Sequence, residues 1–100
     1  MDIDSASALF STLGHTGRLS VYRLIMRHMP QAVRPTEISQ ALGLKQNTLS
    51  HYLADLESVG LIVSTREGRS ILYSIALPHA RNLIDFLARD CCRGRPDLCD

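Results

Sequence analysis

The chain has 100 residues, 45% of them apolar and 21% charged, with a formal net charge of +1, the profile of one small globular domain rather than a disordered or fibrous chain. No strongly basic or acidic balance announces a partner, so a nucleic-acid function has to come from how the charges are distributed. The uninterrupted apolar runs, such as Leu24-Ile25-Met26 and Leu61-Ile62-Val63, are far shorter than the ~20 residues that span a bilayer.

The start, Met1-Asp2-Ile3-Asp4, lacks the basic region and apolar run of a secretory signal, so a cytoplasmic, reducing location with free thiols is expected. From Ile3 to Leu13 the residues Ile3, Ala6, Leu9, Phe10 and Leu13 recur at helical spacing, and Gly14 ends the run. A second helix is predicted over about Thr16 to His28. It has Leu19, Tyr22, Ile25, Met26 and Met29 on one face and Val21 and Leu24 on another, which predicts burial on most sides. Pro30 stops it. Pro35 suits the first turn of a third helix through Glu37, Ile38, Ala41 and Leu42, ended by Gly43. Only Leu44 and Lys45 separate that stop from a fourth helix, about Gln46 to Ser58, with the stripe Leu49, Tyr52, Leu53, Leu56 and Val59.

The period then changes from 3.6 to 2. Leu61 to Arg66 reads as one strand and Ser70 to Ala76 as another, with the Gly and charges of a hairpin tip between them. A last helix is predicted after Pro78, carrying Leu83, Ile84, Phe86 and Leu87. Helices joined tightly through a glycine and followed by a hairpin are the order of a winged helix-turn-helix, mainly α with a β-hairpin wing. A helical bundle with an incidental hairpin is the plainer alternative. The polar face of the fourth helix, Asn47, Thr48, Ser50, His51, Ala54 and Asp55, favours DNA: small polar side chains lie against phosphates and base edges, and Asn suits a bidentate contact with adenine. A merely solvated helix more often carries Glu and Lys pairs. Arg66 and Arg69 bracket the hairpin tip, in reach of phosphates or a minor groove.

The stretch Leu42-Gly43-Leu44-Lys45-Gln46-Asn47-Thr48-Leu49-Ser50-His51-Tyr52-Leu53, with Leu56, Gly60-Leu61-Ile62, Arg66-Glu67-Gly68-Arg69 and Tyr73, resembles the ArsR family of winged-helix repressors, and the likeness runs from about Leu9 to Leu87. The resemblance implies a homodimer through the first and last helices that binds a palindromic double-stranded operator and releases it when an inducer arrives. It places DNA-reading positions on Gln46, Asn47, Thr48, Ser50 and His51 and wing contacts on Arg66 and Arg69. Lys45 stands where such repressors often have Ser as the helix N-cap, which leaves the cap open and offers an extra phosphate contact.

All three cysteines, Cys91, Cys92 and Cys99, lie in the last ten residues, which divides the chain into a DNA-binding and dimerisation domain, 1–90, and a cysteine-rich inducer-binding tail, 91–100. The helix before the reading helix has no cysteine, so the family's site there is absent. His79 and Asp85 lack a second His at helical spacing to complete a zinc-type site along the last helix. His15 and His28 read as helix-end residues. Three thiols match trivalent arsenic, and also antimony, which form three bonds and need no fourth ligand; zinc wants four. Arg93 and Arg95 favour the thiolate, and Gly94 and Pro96 let the chain turn so that Cys99 returns. The tail also resembles the cysteine-rich extension of arsenite-responsive ArsR members. Three other readings stay open: a redox or persulfide sensor, a site for another soft ion such as cadmium, lead or copper(I), and an inert terminus. An enzyme is not expected, because the tail is too short for the phosphate-cradling loop of an arsenate reductase and no catalytic constellation appears elsewhere. An architectural DNA binder, indifferent to thiol ligands, is the remaining alternative.

Overall fold

The computed structural model describes residues 1–90, with the elements α1 (Ile3–Leu13), α2 (Thr16–Arg27), α3 (Pro35–Leu42), α4 (Gln46–Ser58), β1 (Ile62–Glu67), β2 (Ser70–Ile75) and α5 (Leu77–Asp90) in chain order. The predicted order of elements is the order found, and small differences at the ends have local causes. The last helix begins at Leu77, one residue before Pro78 rather than after it, because a proline in the first turn has no N–H to lose there. β1 starts at Ile62 and reaches Glu67, and β2 ends at Ile75.

The core forms where α2, α3, α4 and the hairpin meet, around Val21, Ile25, Val33, Ile38, Leu49, Leu56, Leu61 and Ile62, all fully buried. α2 buries Val21, Tyr22, Leu24 and Ile25, yet Leu19 and Met26 are 41% and 38% exposed, which corrects the expectation of burial on most sides. At about 100° per residue the four buried positions span a single arc of roughly 160°, and Leu19 and Met26 fall outside it.

β1 and β2 pair antiparallel, Ile62 opposite Ile75 through Glu67 opposite Ser70, so that Gly68 and Arg69 form a two-residue tip. Gly68 sits at φ 64°, the first tip position, where such turns take glycine. Val33 adds a one-residue third strand: its N–H donates to the Tyr73 carbonyl and the Tyr73 N–H donates to its carbonyl, both at 2.8 Å. Gly60, at φ 82°, ends α4, and a Cβ there would stand 3.1 Å from Nε2 of His79. His79 therefore packs over a turn.

The termini close less completely. α1 buries only Ala6 and Leu9, and α5 buries Ala80 and Leu83. Ile3, Ile84 and Leu87 are 71%, 64% and 55% exposed, so an apolar strip on each helix is left facing outward. Among the described residues no helix is long and apolar enough to cross a membrane.

Candidate nucleic-acid interface

α4 is held by one face. Leu49, Leu53 and Leu56 are buried, which turns Gln46, Asn47, Ser50 and His51 outward; all four are exposed, and Thr48 is half-buried. Lys45 occupies the N-cap position with extended backbone (φ −69°, ψ 148°) and no side-chain cap. Lysine has donors only and cannot accept from the helix amides, so the cap left open by the sequence is missing, and the exposed Lys45 ammonium stands beside the start of the helix. α1 and α2, by contrast, are capped by Asp2, which accepts from the Ser5 N–H at 2.7 Å, and by His15.

The turn between α1 and α2 fixes α4 from behind. His15 Nδ1 accepts from the N–H groups of Gly17 and Arg18 at 3.1 and 3.3 Å, and its ring lies 5.2 Å from that of Tyr52, tilted by 57°. A Cβ on Gly17 would come within 2.6 Å of the Tyr52 ring, so glycine is required for this close approach. Arg18 donates from Nε to the Thr12 carbonyl at 2.7 Å and pairs with Asp55 at 3.6 Å. Asp55 is thereby tied to α2, and the polar face that can meet DNA narrows to the N-terminal two turns of α4. His15 and His28 are the N-cap and C-cap of α2, as expected.

The wing carries Arg66 and Arg69, both exposed. A groove of about 340 Å³ brings Arg69, Ser70 and Ile71 of the wing together with Gln46 and with Arg34, Pro35 and Thr36. Gln46 and Arg69 are thus united in one groove. Arg66 lies one strand away, opposite Ile71. Arg34 and Thr36 escaped the sequence reading, because Val33 in the connector is a single residue with no period to mark a strand. Beneath the wing, Glu57 accepts from the Ser64 hydroxyl at 2.6 Å, and burial, with Glu57 as a smaller cause, pushes the Tyr73 phenol above its usual 10.0. Between Arg18 and Lys45 the chain carries Arg18, Arg23, Arg27, Arg34 and Lys45 against Glu37 alone, so the near-neutral net charge hides a basic segment.

No group of three His, Cys, Asp or Glu side chains assembles among the described residues. The expected site at Cys91, Cys92 and Cys99 lies outside the described residues.

A polar reading helix on an apolar stripe, a preceding helix joined through a left-handed glycine at position 43 (φ 65°) and an arginine-tipped hairpin define a winged helix-turn-helix DNA-binding unit. The comparisons with known proteins narrow this class. The family model described as the IclR helix-turn-helix domain matches residues 19–66, the stretch from α2 to β1 that forms the reading head. The HTH-type transcriptional regulator NmtR of Mycobacterium tuberculosis is 32% identical over 85% of this chain and 71% of its own length. Among solved structures, an ArsR-like transcriptional regulator from Rhodococcus sp. RHA1 superposes with a TM-score of 0.77 at 19% identity, over 86% of this chain and 78% of that one, a likeness of fold. The homodimeric winged helix-turn-helix domain of Mb0332 from Mycobacterium bovis, described as a possible ArsR-family regulator, gives 0.71 at 25% identity over 94% and 87%. The chain belongs to the winged helix-turn-helix transcriptional regulators of ArsR type. It is a DNA-binding regulator, not an enzyme.

Proposed function

We propose that this protein is a cytoplasmic, homodimeric repressor that binds a palindromic operator and releases it when trivalent arsenic, or antimony, is captured by Cys91, Cys92 and Cys99. The observation that carries the DNA part is the exposure of Gln46, Asn47, Ser50 and His51 opposite the buried stripe Leu49, Leu53 and Leu56. Asn47 can pair with an adenine edge, Lys45, Arg66 and Arg69 with phosphates. Two such helices about 34 Å apart would meet successive major grooves of a two-fold operator. The exposed strips of α1 and α5 supply the surface for the second subunit.

The inducer part rests on the chemistry of the thiols. In arsenite the three thiols would displace three hydroxides: three sulfur–arsenic bonds form, three arsenic–oxygen bonds break, and the three thiol protons leave as water. The tail follows directly on α5 in sequence, so capture of the inducer there would act on the helix whose outer face serves the dimer. A coupling of about 1 to 3 kcal/mol would lower operator affinity roughly 5- to 150-fold. The adjacent pair Cys91-Cys92 also supports the second reading, in which the thiols report an oxidant or a persulfide.

The test is fluorescence anisotropy of the reduced protein on a labelled duplex from its own upstream region, titrated with arsenite beside zinc and an oxidant or persulfide donor. Release by arsenite alone is the expected result; release by oxidant or persulfide with arsenite silent selects the second reading. Cys→Ser at any of the three positions leaves DNA binding intact and blunts the release.

A further inference from the structure

The polar side chains of the groove between the start of α3 and the wing are of one character, set beside the apolar Pro35 and Ile71. Among the described residues that line it, Arg34, Thr36, Gln46, Arg69 and Ser70 all carry side-chain hydrogen-bond donors, and none is a carboxylate. The nearest acid in sequence, Glu37, turns back on the main chain and accepts from the Arg34 N–H at 3.4 Å. Among the described residues the one ion pair joins Arg18 to Asp55, so Arg34 and Arg69 face the same groove without an acidic partner. Two guanidinium groups sharing an acid-free groove repel one another, and an anion between them relieves that repulsion while filling their planar forks of donors.

The backbone explains why Arg34 is there. Paired hydrogen bonds between Val33 and Tyr73 dock the connector antiparallel on β2, which directs Arg34 and Pro35 toward the Leu72–Ile71 end of that strand and hence toward the tip. Arg34 is therefore anchored to the wing rather than carried on a free loop. Gln46, the first residue of α4, forms another wall, so an anion in the groove lies beside the base-reading end of the helix.

We infer that Arg34 and Arg69 form a clamp for one phosphodiester of the DNA backbone, with Thr36, Gln46 and Ser70 as neutral donors. The inference rests on the DNA-binding reading and deepens it: Arg34 positions the helix on the duplex without reading sequence. The clamp sets where the backbone enters relative to Gln46 and Asn47.

The experiment is anisotropy binding of the full chain and its Arg34→Ala, Arg34→Lys and Arg69→Ala variants to two labelled duplexes, the upstream sequence and a scrambled one, across a salt series. Each phosphate contact contributes about 0.9 to the slope of log affinity against log salt. Because the two arginines share one phosphate, Arg34→Ala is expected to lower that slope by at most about 0.9 per subunit and to weaken both duplexes equally, by at most roughly eightfold per subunit at 0.1 M salt. Arg34→Lys keeps the slope, since it keeps the charge. Arg69→Ala, at the exposed tip, repeats the effect and covers the case in which Arg34→Ala disturbs the start of α3, which thermal melting reports. Unchanged slopes in both alanine variants overturn the clamp, as does a loss confined to the upstream duplex, which marks a base reader. A wild-type chain that binds neither duplex removes the DNA reading itself, whereas steep wild-type binding matched by both alanine variants removes the clamp alone.

Discussion

The stretch from α2 to β2 and the pair of terminal helices solve the burial problem in opposite ways. The first closes on itself: Val21, Ile25, Val33, Ile38, Leu49, Leu56, Leu61 and Ile62 are sealed from solvent within one chain, and what remains outside on α4 is polar apart from Ala54 and the half-buried Tyr52. The terminal helices bury one side thinly and present Ile3, Ile84 and Leu87 on the other. A polar face on a sealed core is built to meet DNA and part from it. An apolar strip on a thin core is built for a surface that stays. The boundary between these two surfaces separates the reading head from the part that, in the proposed dimer, joins two heads.

The largest effect should follow from breaking the second region alone. Ile84→Asp with Leu87→Asp puts charge on the exposed face of α5 without touching the core, so the fold is expected to persist while the proposed dimer is lost. Operator affinity then falls by a factor on the order of 100 or more, because two linked heads become two separate ones; light scattering and anisotropy check the two halves of that statement. Next comes the core of the head. Leu56→Ala removes a fully buried side chain and should cost about 2 to 5 kcal/mol, read as a lower urea midpoint with DNA specificity unchanged in the folded fraction. Asn47→Ala leaves stability alone and costs about 1 to 3 kcal/mol on the operator with little change on scrambled DNA. Asp55→Asn tests the tie between α4 and α2; the Arg18–Asp55 pair is part-exposed, so solvent screening limits the loss of stability to below about 1 kcal/mol.

The smallest effect is a pH effect at α1. The Ser5 backbone and side-chain hydrogen bonds hold the Asp2 carboxyl below its usual 3.8. A lowered carboxylate stabilises the fold above the unfolded value and loses that contribution as pH falls through the lowered one. Fraying of α1, followed by far-ultraviolet circular dichroism, should therefore set in below about pH 3.8 and be absent from the pH response of Asp2→Asn.

Most of the architecture was legible because period reports burial. The stripe Leu49, Tyr52, Leu53 and Leu56 announces α4, and the two-residue alternation after Gly60 announces the hairpin. Lys45 was legible as a departure, and the structure leaves it without a side-chain cap. What escaped depends on partners distant in sequence. A single Val33 has no period, so the third strand and the place of Arg34 were invisible. Leu19 and Met26 read as buried because hydrophobicity alone does not say how wide a helix's contact arc is. Asp55 read as a DNA-facing residue until Arg18 was found beside it. Cys91, Cys92 and Cys99 lie outside the described residues, so their role rests on their spacing and on the resemblance.

Gly17 carries a consequence of its own. With the outer end of the Tyr52 ring 2.6 Å from where a Cβ would stand, one hydrogen atom sets how closely that ring seats on the turn behind the reading helix. A methyl group at that position would require about 0.8 Å of retreat to reach ordinary contact, moving the Tyr52 ring or the helix that carries it. Residue 17 thus acts as a spacer for the outer end of the Tyr52 ring, the side chain that seats the reading helix on the turn behind it.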